Sequence, residues 1–418
     1  MRLRLSHSGI YTGASITITG SKSESNRLLI LQALFGQFTI DNLSNSDDTQ
    51  VMQAALHNTT QHIDIHHAGT SMRFLTAYYA VKEGRTTLLT GSKRMQERPI
   101  RVLVDALRHL GAAISYEKNE GYPPLKIQGK ALTQNKVSLQ ANVSSQYISA
   151  LMLIGATLPN GLCITLEGKI TSVPYIKMTA ALMTKVGIDV SFKNQEINIQ
   201  PFLDNQKGIT NTITVESDWS SVSYFYSIAA LLYATHNNTQ QPLIITSYKK
   251  DSLQGDAVLQ ELYKEFGIIS SFSDSKLILS PDPNYSRPQE ITFDLANAPD
   301  IAQTIAVTCL GMGVKCHLTG LHTLKIKETD RLEALQIEIT KLGGHIHVTN
   351  DTLTLEAQTN PLNKNTTIAT YNDHRMAMAF APLALLVPLV IDDAGVVSKS
   401  YPDFWTDLHT VGFKTIQE

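Results

Sequence analysis

Side chains that could bind an anion recur just before six apolar stretches of the chain. These motifs read GSKSESN, HAGTSM, VSSQ, SDWSS, NAPD and YNDH. They are rich in serine, glycine, amide and charged residues, which often begin helices. The N-terminus of a helix exposes N–H groups and the positive end of the helix dipole, so it attracts phosphate and carboxylate. If several of these motifs meet at one place, they would bind a negatively charged substrate.

The six apolar stretches predict helices that are buried on every side, because a helix that is hydrophobic all round must be enclosed by other elements. They comprise residues 27–36, 73–81, 147–156, 223–234, 302–312 and 375–387. Each polar motif would then be held at the start of a core helix.

A second unit recurs between the apolar stretches and consists of an amphipathic helix, a glycine and two short strands. The glycines are Gly111, Gly187, Gly267, Gly343 and Gly412, at spacings of 76, 80, 76 and 69 residues. A degenerate copy at residues 52–67 lacks the glycine. Repetition at nearly fixed spacing indicates a repeated architecture. We expect six units in which strands enclose helices.

The chain is too long for one hydrophobic core, because single cores seldom exceed about 250–300 residues. Its 418 residues therefore predict two domains with three units each. We place the N-terminal lobe at residues 20–216, and the C-terminal lobe at residues 1–19 together with 217–418. The chain would cross between the lobes twice.

Composition excludes several classes of partner. The net charge is −2 and 43% of the residues are hydrophobic, which does not favour nucleic acid or a membrane surface as a partner. No apolar stretch reaches the roughly 18 residues of a membrane span, and residues 1–13 do not resemble a signal peptide. Cys163, Cys309 and Cys316 lack the spacing of a zinc site or a disulfide framework. We expect a cytoplasmic protein.

Taken singly, each motif has an ordinary explanation. Lys22 and Arg27 would be solvated charges near a helix start, and the KETDR sequence at residues 327–331 would be a surface ion-pair cluster. Together the motifs contain more cations than the nearby carboxylates are expected to neutralise. We therefore interpret the missing negative charge as that of a ligand.

The same motifs resemble the successive signatures of the EPSP synthase family. In order from residue 20 to residue 404 they read GSKSESNR, AGTSMR, RMQERPI, SSQYISALM, SVPYIKMT, ESDWSSVSYF, APDIAQTIAV, KETDRLEAL, YNDHRMAM and SKSYPDF. The resemblance implies an α/β fold of two similar lobes, each with three βαβαββ units. This is the inside-out α/β barrel of the enolpyruvyl transferases, with the active site in the cleft between the lobes.

The resemblance also implies a reaction. The enzyme would transfer the enolpyruvyl (carboxyvinyl) group of phosphoenolpyruvate to the 5-hydroxyl of shikimate 3-phosphate and release phosphate by addition and elimination. This is the penultimate step of the shikimate pathway to chorismate, and glyphosate, an anion similar to phosphoenolpyruvate, targets it. The resemblance implies a monomer with no metal and no organic cofactor.

Site residues follow from the resemblance, motif by motif. Catalysis would fall to Asp300 as the base for the 5-hydroxyl, Glu328 as the proton donor to C3 of phosphoenolpyruvate, and Lys22 as an assisting group. The residues expected to bind shikimate 3-phosphate are Lys22, Ser23, Arg27, Ser144, Ser145, Gln146, Ser172, Asp300 and Lys327. Those expected to bind phosphoenolpyruvate are Lys22, Gly69, Thr70, Arg98, Gln146, Arg331, Arg375 and Lys399.

Two alternatives stay open at this point. One is the related enolpyruvyl transferase that acts on UDP-N-acetylglucosamine; that family commonly has a reactive cysteine before the equivalent of Arg98, and residues 93–97 contain none. The other is a non-catalytic anion-binding protein of the same fold. The joint presence of Lys22, Asp300 and Glu328 argues against it.

Overall fold

The computed structural model describes residues 1–7, 14–36, 38–141, 144–168, 170–203, 212–235 and 241–418. Residues 8–13 of the N-terminal stretch and Val143 of the VSSQ motif lie outside this part of the chain. Two compact units are present: an N-terminal unit, Gly20–Val215, and a C-terminal unit made of Met1–Thr19 and Glu216–Glu418.

The second boundary lies one residue before the expected position, because Glu216 is bonded within the C-terminal unit. Its Oε1 atom accepts hydrogen bonds from Trp219 Nε1 and from the backbone N–H of Lys249, both at 2.9 Å. The Oε2 atom of the same carboxylate accepts one from Ser252 Oγ at 2.6 Å.

The helices of each unit follow the predicted pattern. In the N-terminal unit they are α1 (Lys22–Phe35), α2 (Asp47–His57), α3 (Gly69–Ala80), α4 (Lys93–Gln96), α5 (Arg101–His109), α6 (Ser145–Gly155) and α7 (Val173–Lys185). In the C-terminal unit they are α8 (Trp219–Thr235), α9 (Leu259–Leu262), α10 (Ala302–Met312), α11 (Arg331–Lys341), α12 (His374–Phe380) and α13 (Phe404–Thr410).

The strands are short. Those of the N-terminal unit are β3 (Thr39–Asp41), β4 (His62–Asp64), β5 (Thr86–Thr90), β6 (Ala113–Tyr116), β7 (Leu125–Gln128), β8 (Lys136–Gln140), β9 (Leu162–Glu167), β10 (Val190–Lys193), β11 (Glu196–Ile199) and β12 (Thr212–Thr214). Those of the C-terminal unit are β1 (Leu3–His7), β2 (Ser15–Thr17), β13 (Leu243–Thr246), β14 (Ile268–Ser273), β15 (Lys276–Pro281), β16 (Glu290–Asp294), β17 (Lys315–Thr319), β18 (Ile346–Val348), β19 (Leu353–Leu355), β20 (Thr366–Ile368), β21 (Leu389–Ile391) and β22 (Phe413–Gln417).

All six apolar stretches are helical, as predicted, and lie in α1, α3, α6, α8, α10 and α12. The three core helices of the N-terminal unit, α1, α3 and α6, contact one another. In the C-terminal unit α10 contacts both α8 and α12. The sixth stretch departs from a single helix, because α12 gives way to a 3-10 turn over Ala381–Leu385. Pro382 lies in that turn and lacks the N–H that a continuing α-helix would need.

The sheets repeat the βαβαββ order. In the N-terminal unit they have the strand orders β4-β5-β7-β6 and β10-β11-β9-β8, and β3 pairs with β12. In the C-terminal unit the orders are β14-β15-β13-β2, β16-β17-β19-β18 and β20-β21-β1-β22. The strands β1 and β2 from the start of the chain thus complete two sheets of the C-terminal unit. In the described residues the β3–β12 sheet has two strands, so this unit of the repeat is reduced.

The five repeat glycines have the positive φ angles expected of helix ends. The values are 108° at Gly111, 90° at Gly187, 75° at Gly267, 95° at Gly343 and 104° at Gly412. Side chains are strained in this conformation and glycine is not. Four of these glycines precede the antiparallel hairpins β6–β7, β10–β11, β14–β15 and β18–β19.

Candidate active site

The start of α1 places Lys22 beside a buried carboxylate. Ser21 caps the helix, because its side chain accepts a hydrogen bond from the backbone N–H of Glu24. Lys22 follows the cap, and its Nζ atom lies 3.2 Å from Asp48 Oδ2 of α2. Ser23 is half-buried in the same turn. The lysine is thus oriented by an ion pair.

Arg27 lies one turn further along α1 and is 2% exposed. Its Nε donates to Thr179 Oγ1 at 2.7 Å, its Nη1 to the carbonyl of Ser23 at 2.8 Å, and its Nη2 to Ser149 Oγ at 3.1 Å. Burial lowers the pKa of this guanidinium to about 10, so it stays charged at neutral pH. Arg27 joins α1 to α6 and α7.

The start of α3 approaches Arg98 closely. A Cβ atom at Gly69 would lie 2.7 Å from Arg98 Nη1, which is shorter than any ordinary contact. Glycine therefore lets the guanidinium lie against the helix start. The next residue, Thr70, accepts a hydrogen bond from Gln146 Nε2 of α6 at 3.2 Å. These contacts bring three of the predicted motifs together.

The remaining serines that were predicted to bind shikimate 3-phosphate lie at the starts of two further helices. Ser144 caps α6 through a 3.4 Å bond from the backbone N–H of Gln146, and Ser145 is the first residue of that helix. Ser172 precedes α7 with a left-handed φ of 56°. Non-glycine residues in this conformation are uncommon and cluster at functional sites.

In the C-terminal unit the carboxylate of Asp300 is surrounded by three cations. It lies in a 3-10 turn, Pro299–Ile301, directly before α10. Its Oδ1 atom is 3.2 Å from Lys327 Nζ and 3.0 Å from Arg331 Nη1. Its Oδ2 atom is 3.2 Å from Arg375 Nη2.

Glu328 is connected to the same cluster through Arg331. Its Oε2 atom accepts from Arg331 Nη2 at 3.0 Å, and its Oε1 atom lies 2.5 Å from Lys399 Nζ. The side chain of Arg331 is 2% exposed and that of Lys399 is 5% exposed. One guanidinium thus contacts both proposed acid–base carboxylates.

A third carboxylate, Asp373, completes the cluster. Its Oδ2 atom accepts from Arg331 Nε at 2.7 Å, and its Oδ1 atom caps α12 by accepting from the backbone N–H of Arg375 at 2.9 Å. With Asp300 and Glu328, Asp373 makes three carboxylates beside the four cations Lys327, Arg331, Arg375 and Lys399, so the cations of this cluster outnumber its carboxylates by one. Asp373 was not among the residues predicted for the site.

The cluster shifts the protonation of its members. Burial disfavours the charged form of Asp300, but Lys327, Arg375 and Arg331 outweigh it and hold the pKa well below its usual 3.8. Burial lowers the pKa of Lys327, and Asp300 offsets this only in part. Burial also acts to lower the pKa of Arg331, yet its three carboxylate partners raise it above its usual value. Asp300 is therefore ionised at neutral pH and can accept a proton.

Two other polar residues contact the cluster and were missed in the sequence. Ser220 Oγ accepts from Arg375 Nη2 at 3.2 Å and donates to Asp256 Oδ2. Ser220 belongs to the SDWSS motif, so its position at a helix start was a usable signal. Asp256 follows QG outside the six polar motifs, and its type and position give no sign of a contact with Ser220.

The described residues contain no group of three or more His, Cys, Asp and Glu side chains placed to hold a metal ion. Within the same residues, no helix has the length and apolarity needed to cross a membrane.

The fold is similar to those of a solved EPSP synthase and a solved enolpyruvyl transferase. An EPSP synthase from Acinetobacter baumannii superimposes with a TM-score of 0.78 over 100% of both chains at 19% identity. The enolpyruvyl transferase NikO from Streptomyces tendae superimposes with a TM-score of 0.73 at 15% identity, over 99% of this chain and 98% of that one. These likenesses define the fold as that of the enolpyruvyl transferases.

Sequence comparison is more specific. The family model for EPSP synthase (3-phosphoshikimate 1-carboxyvinyltransferase) matches residues 57–408. A 3-phosphoshikimate 1-carboxyvinyltransferase from Bacteroides fragilis is 46% identical over 408 residues, 96% of this chain and 95% of that protein. One from Shewanella piezotolerans is 33% identical over 95% of this chain and 96% of its own length. The chain belongs to the EPSP synthase family and is a transferase.

Proposed function

We propose that this protein transfers the enolpyruvyl group of phosphoenolpyruvate to the 5-hydroxyl of shikimate 3-phosphate. The observation that carries the proposal is the position of Arg331 between Asp300 and Glu328, at 3.0 Å from each carboxylate. Two carboxyl groups that contact one buried guanidinium lie close enough to serve one reaction, with one accepting a proton and the other donating a proton to a neighbouring atom. Family membership names the substrates.

In the proposed reaction the ionised Asp300 accepts the proton of the 5-hydroxyl group of shikimate 3-phosphate. The hydroxyl oxygen at the same time bonds to C2 of phosphoenolpyruvate. Glu328 supplies the proton that C3 gains. The tetrahedral intermediate then returns a proton from C3 to Glu328 as the C2–O bond to phosphate breaks, which restores the double bond. The leaving phosphate takes the proton that Asp300 had accepted, so both carboxyl groups return to their starting states. Positioned acid–base groups of this kind typically contribute about 10²–10⁴-fold to a rate.

The cations bind the substrate anions in this proposal. Phosphoenolpyruvate is assigned to Arg98, Arg331, Arg375 and Lys399, together with Lys22, Gly69, Thr70 and Gln146. Shikimate 3-phosphate is assigned to Lys22, Ser23, Arg27, Ser144, Ser145, Gln146, Ser172 and Lys327, with Asp300 at its 5-hydroxyl. Arginine suits phosphate and carboxylate because its planar fork donates two parallel hydrogen bonds.

Lys327 and Lys399 each pair with a proposed catalytic carboxylate. Substrate anions that bind these lysines compete with Asp300 and Glu328 for them. Binding would therefore raise the basicity of both carboxylates, which suits groups that must exchange protons. A cytoplasmic location and a monomeric state belong to the same proposal, and the free thiols of Cys163, Cys309 and Cys316 fit a reducing compartment.

The test is a phosphate-release assay with phosphoenolpyruvate and one of two acceptors. We expect release with shikimate 3-phosphate and none with UDP-N-acetylglucosamine or with phosphoenolpyruvate alone. Release with the nucleotide sugar only would assign the protein to the other transferase class. Tight binding of both proposed substrates without release would indicate a non-catalytic protein.

A further inference from the structure

A buried carboxylate outside the ion cluster is connected to it by a single hydroxyl group. Asp256 is 3% exposed and lies in a 3-10 turn, Gly255–Val258. Its Oδ2 atom accepts a hydrogen bond from Ser220 Oγ, while its Oδ1 atom has no hydrogen-bond partner among the described residues. A carboxylate held this way is incompletely satisfied.

The turn that carries Asp256 is fixed by the preceding residue. Gln254 Oε1 accepts from the backbone N–H of Trp219 at 2.9 Å, and its Nε2 donates to the carbonyl of Ser217 at 2.9 Å. Trp219 is the first residue of α8, the helix that carries Ser220, and Ser217 lies two residues before it. Asp256 and Ser220 are therefore held in register by contacts other than their own hydrogen bond.

Ser220 extends the connection to Arg375. A hydroxyl group has one proton and two lone pairs. Because Ser220 donates its proton to Asp256, its lone pairs remain for Arg375 Nη2, which lies 3.2 Å away. The same Nη2 atom lies 3.2 Å from Asp300 Oδ2. The chain of contacts runs from Asp256 through Ser220 to Arg375 and Asp300.

Packing alone does not explain a carboxylate at this position. Burial and the negative charge of Asp300 together raise the pKa of Asp256 to about 6, although Arg375 and the bond from Ser220 oppose the shift. Asp218 is the other charged group that acts on it, also upward. The folded protein therefore retains an ionised group at neutral pH against its own stability. Groups of this kind cluster at functional sites.

We propose that Asp256 is a positioning residue for phosphoenolpyruvate: by accepting the proton of Ser220, it directs the Ser220 lone pairs at Arg375 and fixes that guanidinium. The inference rests on the proposed function, in which Arg375 binds phosphoenolpyruvate. Asp256 itself would touch no substrate. Without it the Ser220 hydroxyl can rotate, and Arg375 Nη2 loses Ser220 as an oriented acceptor.

The test compares Asp256→Ala, Ser220→Ala and the double variant. We expect each single variant to raise the KM for phosphoenolpyruvate about tenfold, as for loss of one hydrogen bond to a charged group. The KM for shikimate 3-phosphate should stay within about twofold of the wild-type value. If Asp256 acts through Ser220, the double variant should be no worse than either single variant.

Asp256→Asn supplies a conservative rescue, because its amide oxygen can still accept the Ser220 proton. Its KM for phosphoenolpyruvate should lie much closer to wild type than that of Asp256→Ala. Asp251→Asn is the matched control, since Asp251 is exposed and five residues away, and it should leave both KM values unchanged. The Asn variant also keeps the side-chain volume, so it tests the proposal even if Asp256→Ala fails to fold.

Additive effects in the double variant would overturn the route through Ser220, and equal increases in both KM values would overturn a role specific to phosphoenolpyruvate. Calorimetric binding of phosphoenolpyruvate, in the presence of shikimate 3-phosphate, gives a second readout that needs no turnover. An active wild type with unchanged variants refutes the positioning role alone. A wild type that neither turns over nor binds phosphoenolpyruvate refutes the proposed function and this inference together.

Discussion

Arg331 and Asp373 form an ion pair that is almost completely removed from solvent. The Nε and Oδ2 atoms are 2.7 Å apart, and the side chains are 2% and 0% exposed. Asp373 also caps α12 by accepting from the backbone N–H of Arg375. One carboxylate thus orients two of the arginines assigned to phosphoenolpyruvate, one by direct pairing and the other by fixing the start of its helix.

Asp373→Ala should destabilise the C-terminal unit strongly. Removal of one member of a buried ion pair typically costs about 3–5 kcal/mol of the free energy of unfolding. Because Arg331 keeps Asp300 and Glu328 as partners, we expect the lower end of this range, about 3 kcal/mol. Asp330→Ala is the matched control, because Asp330 caps α11 through the backbone N–H groups of Leu332 and Glu333 but is partly exposed. Loss of a cap alone costs about 1 kcal/mol. Urea denaturation measures both, and equal losses would show that Asp373 serves only as a cap.

Glu328→Gln should abolish turnover and leave the Kd for shikimate 3-phosphate within about fivefold, because the amide keeps the shape of the side chain but cannot supply a proton at C3. The phosphate-release rate and calorimetric binding measure the two effects. Glu333→Gln, an exposed position near the start of α11, is the control and should retain full activity. Substantial turnover by the Gln variant would remove Glu328 from the mechanism.

The sequence predicted the elements whose signal is local. Each apolar stretch contains a buried helix, although the sixth continues as a 3-10 turn. Gly187 ends its helix with a φ of 90°. Hydrophobic periodicity and the steric freedom of glycine act within a few residues, so both were predictable. For Gly69 and Arg98, the sequence predicted that both belong to one binding site but did not predict that they are in contact. The distance between them depends on the packing of α3 against the loop after α4.

Contacts between distant parts of the chain were not predictable in this way. Asp373 is 42 residues from Arg331, and nothing in the YNDH motif indicates which cation it pairs with. The strand β1 completes a sheet with β21 and β22 from the other end of the chain. Its own sequence does not indicate which strands it pairs with. Asp256 was also not predictable, because its connection to the ion cluster depends on the hydroxyl group of Ser220, 36 residues away.

Gly69→Ala should weaken the binding of phosphoenolpyruvate without a large loss of stability. The new methyl group would lie 2.7 Å from Arg98 Nη1, so the guanidinium must move, and a flexible side-chain end can do so at little cost. We expect the KM for phosphoenolpyruvate to rise about tenfold, as for a lost charge-assisted contact, with the thermal midpoint nearly unchanged.

Arg98→Ala provides the companion test, since Gly69→Ala should have no further effect on that background. Gly395→Ala is the control substitution, because a Cβ atom there would meet nothing within 4 Å. Independent effects of Gly69→Ala and Arg98→Ala on the KM would contradict the steric explanation. Steady-state kinetics with phosphoenolpyruvate as the varied substrate measures the two single variants, the double variant and the control.

Asp256→Asn should stabilise the protein at neutral pH while its KM for phosphoenolpyruvate stays close to the wild-type value. The pKa of Asp256 is raised from 3.8 to about 6, so between these values the folded state binds more protons than the unfolded state, and stability falls as the pH rises. Above pH 6 the full penalty applies, and it amounts to about 3 kcal/mol for a shift of this size. The neutral amide avoids it.

The gain in stability should therefore depend on pH. At pH 7.5 the Asn variant should gain up to about 3 kcal/mol in the free energy of unfolding, and at pH 5.0 about half as much, because wild-type Asp256 is then largely protonated. Thermal midpoints at the two pH values, with Asp251→Asn as the control, measure the difference. A variant that is less stable than wild type at both pH values would show that Asp256 supports the fold, and the carboxylate would no longer need a functional explanation.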